Sequence, residues 1–191
     1  AFNNKNLRAQ QIPRWSIDAI KLLLGIVYFY AGLAKLNSDW LLEAMPLQMW
    51  LPAKYSIPLL GDLLQQTWVH YAFAWSGTIY DLCIPFLLLY RRTRAIAFVL
   101  VVVFHVMTRV LFPIGMFPFI MIGSALIFFD AGLHHKILNK ISKGLRITKA
   151  TYDNGQSYSF PQNWQRKAVL SLLGVFFTLQ LLIPFRYTLY P

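Results

Sequence analysis

Cysteine and charged residues are scarce in this sequence, and both scarcities limit the kind of protein that it can be. The single cysteine, Cys83, lies within an apolar run, so neither a disulfide framework nor a thiolate zinc site can form inside the chain. Only 13% of the residues are charged, about half the share usual in soluble domains. Metal-ligand spacings, phosphate-binding glycine loops and a Ser-His-Asp order are missing too, so no metal site is predicted.

Long apolar runs are what the sequence has in abundance, and 57% of its residues are hydrophobic. A helix needs about 20 such residues to cross a bilayer, and helix-like patterning rules out the strict alternation of a membrane β-barrel. The sequence therefore predicts an all-α, polytopic transmembrane helical bundle of about five spanning helices with interfacial segments. The predicted spans are Trp15–Ala34, Trp68–Tyr90, Ala95–Phe112, Ile114–Phe129 and Ala168–Phe185.

Two connecting segments have compositions typical of a membrane surface. Residues 36–66 combine tryptophan, tyrosine and proline, which predicts short pieces lying in the exoplasmic or lumenal interface. Residues 131–167 are basic, with an amphipathic surface helix predicted over 134–149 and a polar loop over 151–165. The expected partner of this basic segment is the membrane lipid itself.

The positive charge is concentrated on one side of the predicted bundle. Five crossings place 13 of the 18 Lys and Arg residues together, so this side is expected to be cytoplasmic. The opposite side, which carries Lys35, is then exoplasmic or lumenal. Because topology explains the net charge of +11 and no aromatic-interleaved basic groove is present, nucleic acid is not an expected partner.

The beginning of the sequence predicts a larger protein. Residues 1–14 are polar and lack the apolar core of a secretory signal. We therefore expect residues 1–191 to be a single membrane domain and a piece of a longer polypeptide.

Ionisable residues at membrane depth are the first functional candidates, because burying them in lipid is costly. Lys35 ends the first span, and Tyr28 lies seven residues back on the same helix face. From spacing alone, the favoured interpretation of Lys35 is a lysine that reaches to the membrane edge.

Three further candidates come from the third span. His105 and Arg109 are four residues apart and share a helix face, so both could line one cavity with Met107. The alternatives are a histidine bonded to a neighbouring backbone group, an arginine reaching lipid headgroups, and a methionine that only packs.

Asp81 and Lys21 are predicted to form a structural ion pair. Counting from the helix ends puts both about 20 Å from the exoplasmic end, away from Lys35. A proton relay is the alternative interpretation of the same placement.

Several motifs resemble the membrane domain of vitamin K-dependent γ-glutamyl carboxylases. The clearest is VYFYAGLAKLNSDWL at 27–41, in which a tyrosine-containing apolar helix is followed by glycine, lysine and an Asp-Trp pair. The similarity continues in order along the chain, through PRW at 13–15, YDL at 80–82, FHVM at 104–107, IGMF at 114–117 and LIPF at 182–185.

The resemblance implies a membrane-embedded enzyme that oxygenates reduced vitamin K, the hydroquinone, to its epoxide. The strong base formed in that reaction removes a γ-proton from a peptide glutamate, and carbon dioxide adds to the carbanion. The family's catalytic lysine falls on Lys35, whose role would be to deprotonate the hydroquinone. Reduced vitamin K, O₂ and CO₂ are thus the implied cofactor and co-substrates, and a glutamate-containing peptide is an implied partner.

The chain departs from the family pattern in three respects. No histidine here matches the family's upstream histidine, the polar peptide-binding domain is absent, and Thr108 and Arg109 replace smaller or neutral residues. Two alternatives therefore stay open. One is a relative that uses another lipid-linked substrate without carboxylation, and the other is a non-enzymatic transporter or membrane scaffold.

Overall fold

The computed structural model describes residues 12–145 and 162–185, and every regular element in these two ranges is helical, which confirms the all-α prediction. The α-helices are α1 (Arg14–Leu33), α2 (Ser38–Leu41), α3 (Met45–Trp50), α4 (Thr67–Leu89), α5 (Arg94–Leu111), α6 (Phe117–Ala125), α7 (Ala131–Gly144) and α8 (Asn163–Leu182). Short 3₁₀ turns cover Pro52–Lys54, Leu63–Gln65, Leu126–Phe128 and Ile183–Phe185.

Within residues 12–145 and 162–185, four helices are long and apolar enough to cross a membrane on their own, namely α1, α4, α5 and α8 with its terminal 3₁₀ turn. Their bounds differ from the predicted spans by a few residues at most, except that α8 begins earlier, at Asn163. A fifth crossing exists only if α6 and α7 are counted together. The structure thus supports a membrane protein with four to five spans.

The predicted fourth span is the one that the structure corrects. Instead of a helix from Ile114 to Phe129, α6 begins at Phe117 and gives way to a 3₁₀ turn at Leu126. The chain cannot start a helix earlier because Gly115 adopts a φ of 61°, outside the right-handed helical region. Helix α6 has nine residues, about half the length that a bilayer requires.

The chain divides into two compact units, residues 24–128 and residues 1–23 with 129–191. The first unit holds two clusters of buried apolar side chains. One contains Tyr28, Leu88 and Phe128, and the other contains Leu47, Leu64 and Leu111. The second cluster ties the short helices after α1 to the long helices α4 and α5, and the candidate site lies among these elements.

The second unit contains the start of α1 together with α7 and α8. Arg14 and Asp18 form an exposed salt bridge of 3.5 Å within the first turns of α1. Helix α7 confirms the predicted amphipathic helix over 134–144, with Ile137, Leu138 and Ile141 all exposed. The rest of that predicted helix, at 146–149, and most of the predicted loop at 151–165 lie outside the described residues.

The segment between α1 and α4 is built from short helices, as its composition predicted. Asn37 caps α2 by accepting a hydrogen bond of 2.9 Å from the Trp40 amide. Two indoles then fasten the segment to α4, since Trp40 Nε1 donates to the Ala74 carbonyl and Trp75 Nε1 donates to the Leu41 carbonyl, each at 3.1 Å. The interfacial position of this segment stays a prediction.

Candidate functional site

Lys35 lies beside the second half of α4, although it follows directly after the last turn of α1. Its ammonium forms a salt bridge with Asp81 Oδ2. The N-terminal half of α4 therefore extends past the end of α1, where α2 and α3 pack against it. Lys35 is consequently level with the interior of the spanning helix α4, although it follows the end of α1.

Three groups fix the position of the Lys35 ammonium. Nζ donates to Asp81 Oδ2 and also to the carbonyl oxygen of Ala31, at 3.1 Å. The same nitrogen lies 5.5 Å from the centroid of the Trp40 ring, within the range of a cation–π contact. An ammonium carries three donors, so one N–H remains for a ligand after the two hydrogen bonds are made.

Asp81 is more deeply buried than its partner. The exposed fraction of its side chain is 6%, compared with 21% for Lys35. The Asp81 carboxylate interacts electrostatically with Tyr28, Tyr80 and His105 as well. A buried carboxylate is tolerated only where a cation and hydrogen bonds compensate it, and Lys35 provides both.

Three rings form a cluster next to this ion pair. The Tyr28 ring contacts the rings of Tyr80 and His105 edge-on, with centroids 6.1 Å apart in both cases. His105 Nδ1 lies 2.9 Å from the Val101 carbonyl oxygen, which can only accept, so Nδ1 is the donor in this hydrogen bond. The buried hydroxyls of Tyr28 and Tyr80 have no hydrogen-bond partner among the described residues.

A cavity of about 610 Å³ opens beside Lys35 within the unit formed by residues 24–128. Its wall contains five aromatic rings, two lysines and two hydroxyl residues, which are Trp40, Trp50, Phe73, Phe104, Phe112, Lys35, Lys54, Ser76 and Thr108. Apolar and aromatic walls with a few polar groups are typical of small-molecule sites of this size. The Tyr80 ring stacks on Phe104 at 4.0 Å, which connects the ring cluster to the cavity wall.

A second, wholly apolar cavity of about 420 Å³ adjoins the first. Phe73, Met107 and Leu111 line both cavities, so the two cavities are neighbours. The other side of the second cavity is formed by aliphatic residues such as Leu60, Val103 and Val106.

The structure distributes the predicted site residues unevenly. Lys35 and Met107 line the larger cavity, whereas Tyr28 and His105 are buried in the ring cluster behind it. Arg109 is exposed and lies outside the cavity lining, although it shares a helix with His105. The proposed roles of these residues stay predictions.

The partner of Asp81 differs from the predicted one. The sequence paired Asp81 with Lys21 by counting residues from the helix ends, but the structure pairs it with Lys35. Counting failed because α1 and α4 do not end at the same level. Lys21 belongs to the other compact unit, and its own pairing stays a prediction.

The cavity residues that were not predicted as site residues include Trp40, Trp50 and Lys54. All three lie in the segment that was interpreted as interfacial on account of its aromatic and proline content. The spacing of Lys35 and Trp40 could have indicated a shared site, because both belong to the motif at 27–41. Nothing in the local sequence distinguishes Lys54 from a solvated lysine.

A comparison with known protein families matches residues 1–132 to the HTTM domain. The chain belongs to the HTTM domain family. This is the domain found in vitamin K-dependent γ-glutamyl carboxylase, so the resemblance read from the motifs is confirmed at the level of the family. No solved structure matches this HTTM domain.

The matched range contains every residue of the candidate site, including Lys35, Asp81 and the whole wall of the larger cavity. The basic helix α7 lies almost entirely beyond it. Among residues 12–145 and 162–185, no group of three His, Cys, Asp or Glu side chains could hold a metal ion. The candidate site in this HTTM domain consists of one ion pair, a ring cluster and an apolar cavity.

Proposed function

We propose that the cavity beside Lys35 binds a vitamin K-type hydroquinone and that Lys35 takes a proton from it, which starts oxygenation to the epoxide. One atom of O₂ ends in the epoxide and the other in water. The reaction supplies the base that removes a γ-proton from a peptide glutamate, to which CO₂ then adds. Membership of the HTTM family and the position of Lys35 in an apolar cavity support this proposal.

The cavity residues fit such a ligand. A fused aromatic ring system can lie against the indole and phenyl rings of Trp40, Phe104 and Phe112, and the apolar remainder of the wall suits an isoprenoid tail. The remaining N–H of Lys35 can donate to a ring oxygen, and the hydroxyl oxygens of Ser76 and Thr108, whose hydrogens go to backbone carbonyls, can accept from a ring hydroxyl.

The observation that carries the proposal is the Lys35–Asp81 pair at the cavity wall. As an isolated ammonium, Lys35 could not act as a base. Paired with Asp81, it can pass a proton to the carboxylate, because a neutral amine and a neutral carboxylic acid avoid the cost of two charges in a low dielectric.

The charge balance of the step follows from the pair. Lys35 and Asp81 together are neutral before the reaction, in either position of the shared proton. After Lys35 accepts a proton from the ligand, the pair carries one positive charge next to the new oxyanion. This attraction in a water-poor site stabilises the deprotonated ligand, which is how an enzyme favours a developing anion.

The same geometry weighs against a lysine that only marks the membrane edge. Such a lysine extends its ammonium toward water and headgroups. Lys35 instead donates to Asp81, whose side chain is 6% exposed, and to a carbonyl oxygen of its own helix.

The deciding experiment measures epoxide formation from reduced vitamin K by the full-length protein in lipid nanodiscs. Lys35→Ala should reduce the rate at neutral pH by at least about 100-fold, the low end of general-base contributions. Exogenous alkylamines, or a pH high enough to ionise the hydroquinone unaided, should restore part of it. Lys21→Ala, on the same helix, is the matched control and should keep most of the rate.

Full epoxidation by Lys35→Ala at neutral pH would show that Lys35 is not the base. Epoxidation by the unchanged protein that is not accompanied by carboxylation of a glutamate peptide would limit the function to the quinol reaction. Peptide carboxylation is measured in the same samples as incorporation of labelled CO₂.

A further inference from the structure

Lys54 lies on the wall of the larger cavity at the end of the 3₁₀ turn Pro52–Lys54. Its side chain is partly buried. Lys35 and Lys54 are the charged residues of this wall, and no acidic side chain lines it. The occupant of the cavity is therefore exposed to positive charge that the wall itself does not neutralise.

The two lysines differ in how they are compensated. Lys35 has Asp81 as its partner, whereas Lys54 has no carboxylate partner among the residues that the structure describes. A cation next to an apolar cavity is favoured if an anion from a ligand completes the pair, because charges attract strongly where water is scarce. The cavity wall thus contains Lys35, which is paired with Asp81, and Lys54, which is available to bind an anionic ligand.

The backbone around Lys54 is fixed by contacts with neighbouring residues. Gln65 Nε2 donates to the Pro52 carbonyl at 2.9 Å, which ties the turn to the next 3₁₀ turn. Gly61 packs closely on Tyr55, the residue after Lys54, and a Cβ at position 61 would clash with the Tyr55 carbonyl oxygen. Leu51, just before the turn, is fully buried. Fixing the backbone reduces the entropy cost of using the side chain to bind a ligand.

We propose that Lys54 contacts the carboxylate of the second substrate, the glutamate side chain, in the cavity beside Lys35. This inference rests on the proposed function for the identity of that substrate. Removal of the γ-proton from a glutamate increases the negative charge carried by its carboxylate. A cation positioned at the carboxylate binds the substrate and also stabilises that developing charge.

The first test measures binding and requires no turnover. The probe is a glutamic acid α-amide carrying a bromoacyl tail, compared with the matching glutamine α-amide, which replaces only the side-chain carboxylate. Bromine quenches the fluorescence of the cavity tryptophans, and Trp50→Phe should reduce the quenched signal if the probe occupies the cavity. The full-length protein is titrated in nanodiscs of zwitterionic lipid.

The unchanged protein should bind the glutamate probe about tenfold more tightly than the glutamine probe, a difference of about 1.4 kcal/mol. Lys54→Gln should remove this preference, and Lys54→Arg should keep it. Lys140→Gln removes the same charge from the exposed helix α7 and should leave the preference intact. A preference that persists in Lys54→Gln, or that is missing from the unchanged protein, overturns the proposal.

The second test separates this proposal from the function on which it rests. Lys54→Gln should need about tenfold more glutamate peptide for half-maximal carboxylation, a larger increase than it causes in the amount of reduced vitamin K needed for half-maximal epoxide formation. If the unchanged protein forms no epoxide, the proposed function fails while the binding result still decides the role of Lys54. If Lys54→Gln alters only adsorption to anionic lipid vesicles, Lys54 is a headgroup contact and the proposal is wrong.

Discussion

Gly32 on α1 lies directly against Leu82 on α4. A Cβ at position 32 would come within 2.7 Å of the Leu82 side chain and 3.0 Å of its backbone nitrogen. Since Leu82 follows Asp81 and Gly32 precedes Lys35 by one turn, this contact brings the two charged residues together. Close approach of two helices at a small residue is the usual way of packing helices within a membrane.

Gly32→Ala should weaken the Lys35–Asp81 ion pair indirectly, through the packing of α1 against α4. The added methyl group cannot be accommodated by Leu82 side-chain movement alone, because the backbone nitrogen is also in contact, so α1 and α4 must separate. Overpacking of this kind costs about 1 to 3 kcal/mol, measurable as a lower thermal midpoint in detergent. Gly25→Ala is the control on the same helix, since its Cβ would lie 3.9 Å from the nearest atom. Equal midpoints for the two variants would contradict the close contact.

Removing one partner of the Lys35–Asp81 pair should be more harmful than removing both. Asp81→Leu leaves an ammonium without its anion and should lower the free energy of unfolding by about 3 kcal/mol, near the lower end for buried pairs. Adding Lys35→Met should recover most of the loss. The informative comparison is Lys21→Met in the Asp81→Leu background. Recovery there, rather than with Lys35→Met, would support the partner that the sequence predicted.

Filling the larger cavity should block ligand binding without unfolding the protein. Gly77 lines the cavity, and a Cβ there would meet only a Phe104 ring atom, at 4.0 Å. Gly77→Val should therefore fold while raising the quinone dissociation constant by about tenfold or more. Tryptophan quenching by a quinone measures this constant. Gly123→Val on α6, where a Cβ has no neighbour within 4 Å, serves as control and should bind normally.

The side of the membrane that α2 faces is predicted from the distribution of Lys and Arg. In a Cys83→Ser background, a cysteine at Ser38 should react with an impermeant reagent in intact cells, and one at Ser142 should be protected. Ser38 is exposed on the short helix α2 and Ser142 is partly exposed on α7, so their labelling depends on sidedness. The reverse labelling pattern would show that the bundle is inverted and that Lys35 is approached from the cytoplasm.

Sequence patterns predicted the spanning helices well because apolar length is a property of a single segment. The bounds of α1, α4 and α5 lie within one residue of the predicted spans. The segment at 114–129 was the exception, since its hydrophobicity matches a span while Gly115 and the tightened turn at Leu126 shorten the helix. Composition averages over such local backbone features and so cannot detect them.

The candidate site was predicted only in part because it depends on relations between helices. Lys35 was identified through its motif, but its partner Asp81 depends on how far α4 extends past α1. That offset is set by the close packing at Gly32 and by the hydrogen bonds of Trp40 and Trp75, none of which has a periodic signal. Lys54 reaches the cavity through the folding of the segment between α1 and α4, and a single sequence cannot indicate that.

The residues shared by the two cavities affect the unit in which the concentration of a hydrophobic substrate should be expressed. Phe73, Met107 and Leu111 line both the cavity beside Lys35 and the aliphatic cavity, and methionine side chains change rotamer readily. A hydrophobic ligand bound in the aliphatic cavity has already partitioned out of water. The half-saturating amount of such a ligand then scales with its mole fraction in the bilayer, so diluting the protein with more lipid at constant total ligand lowers occupancy.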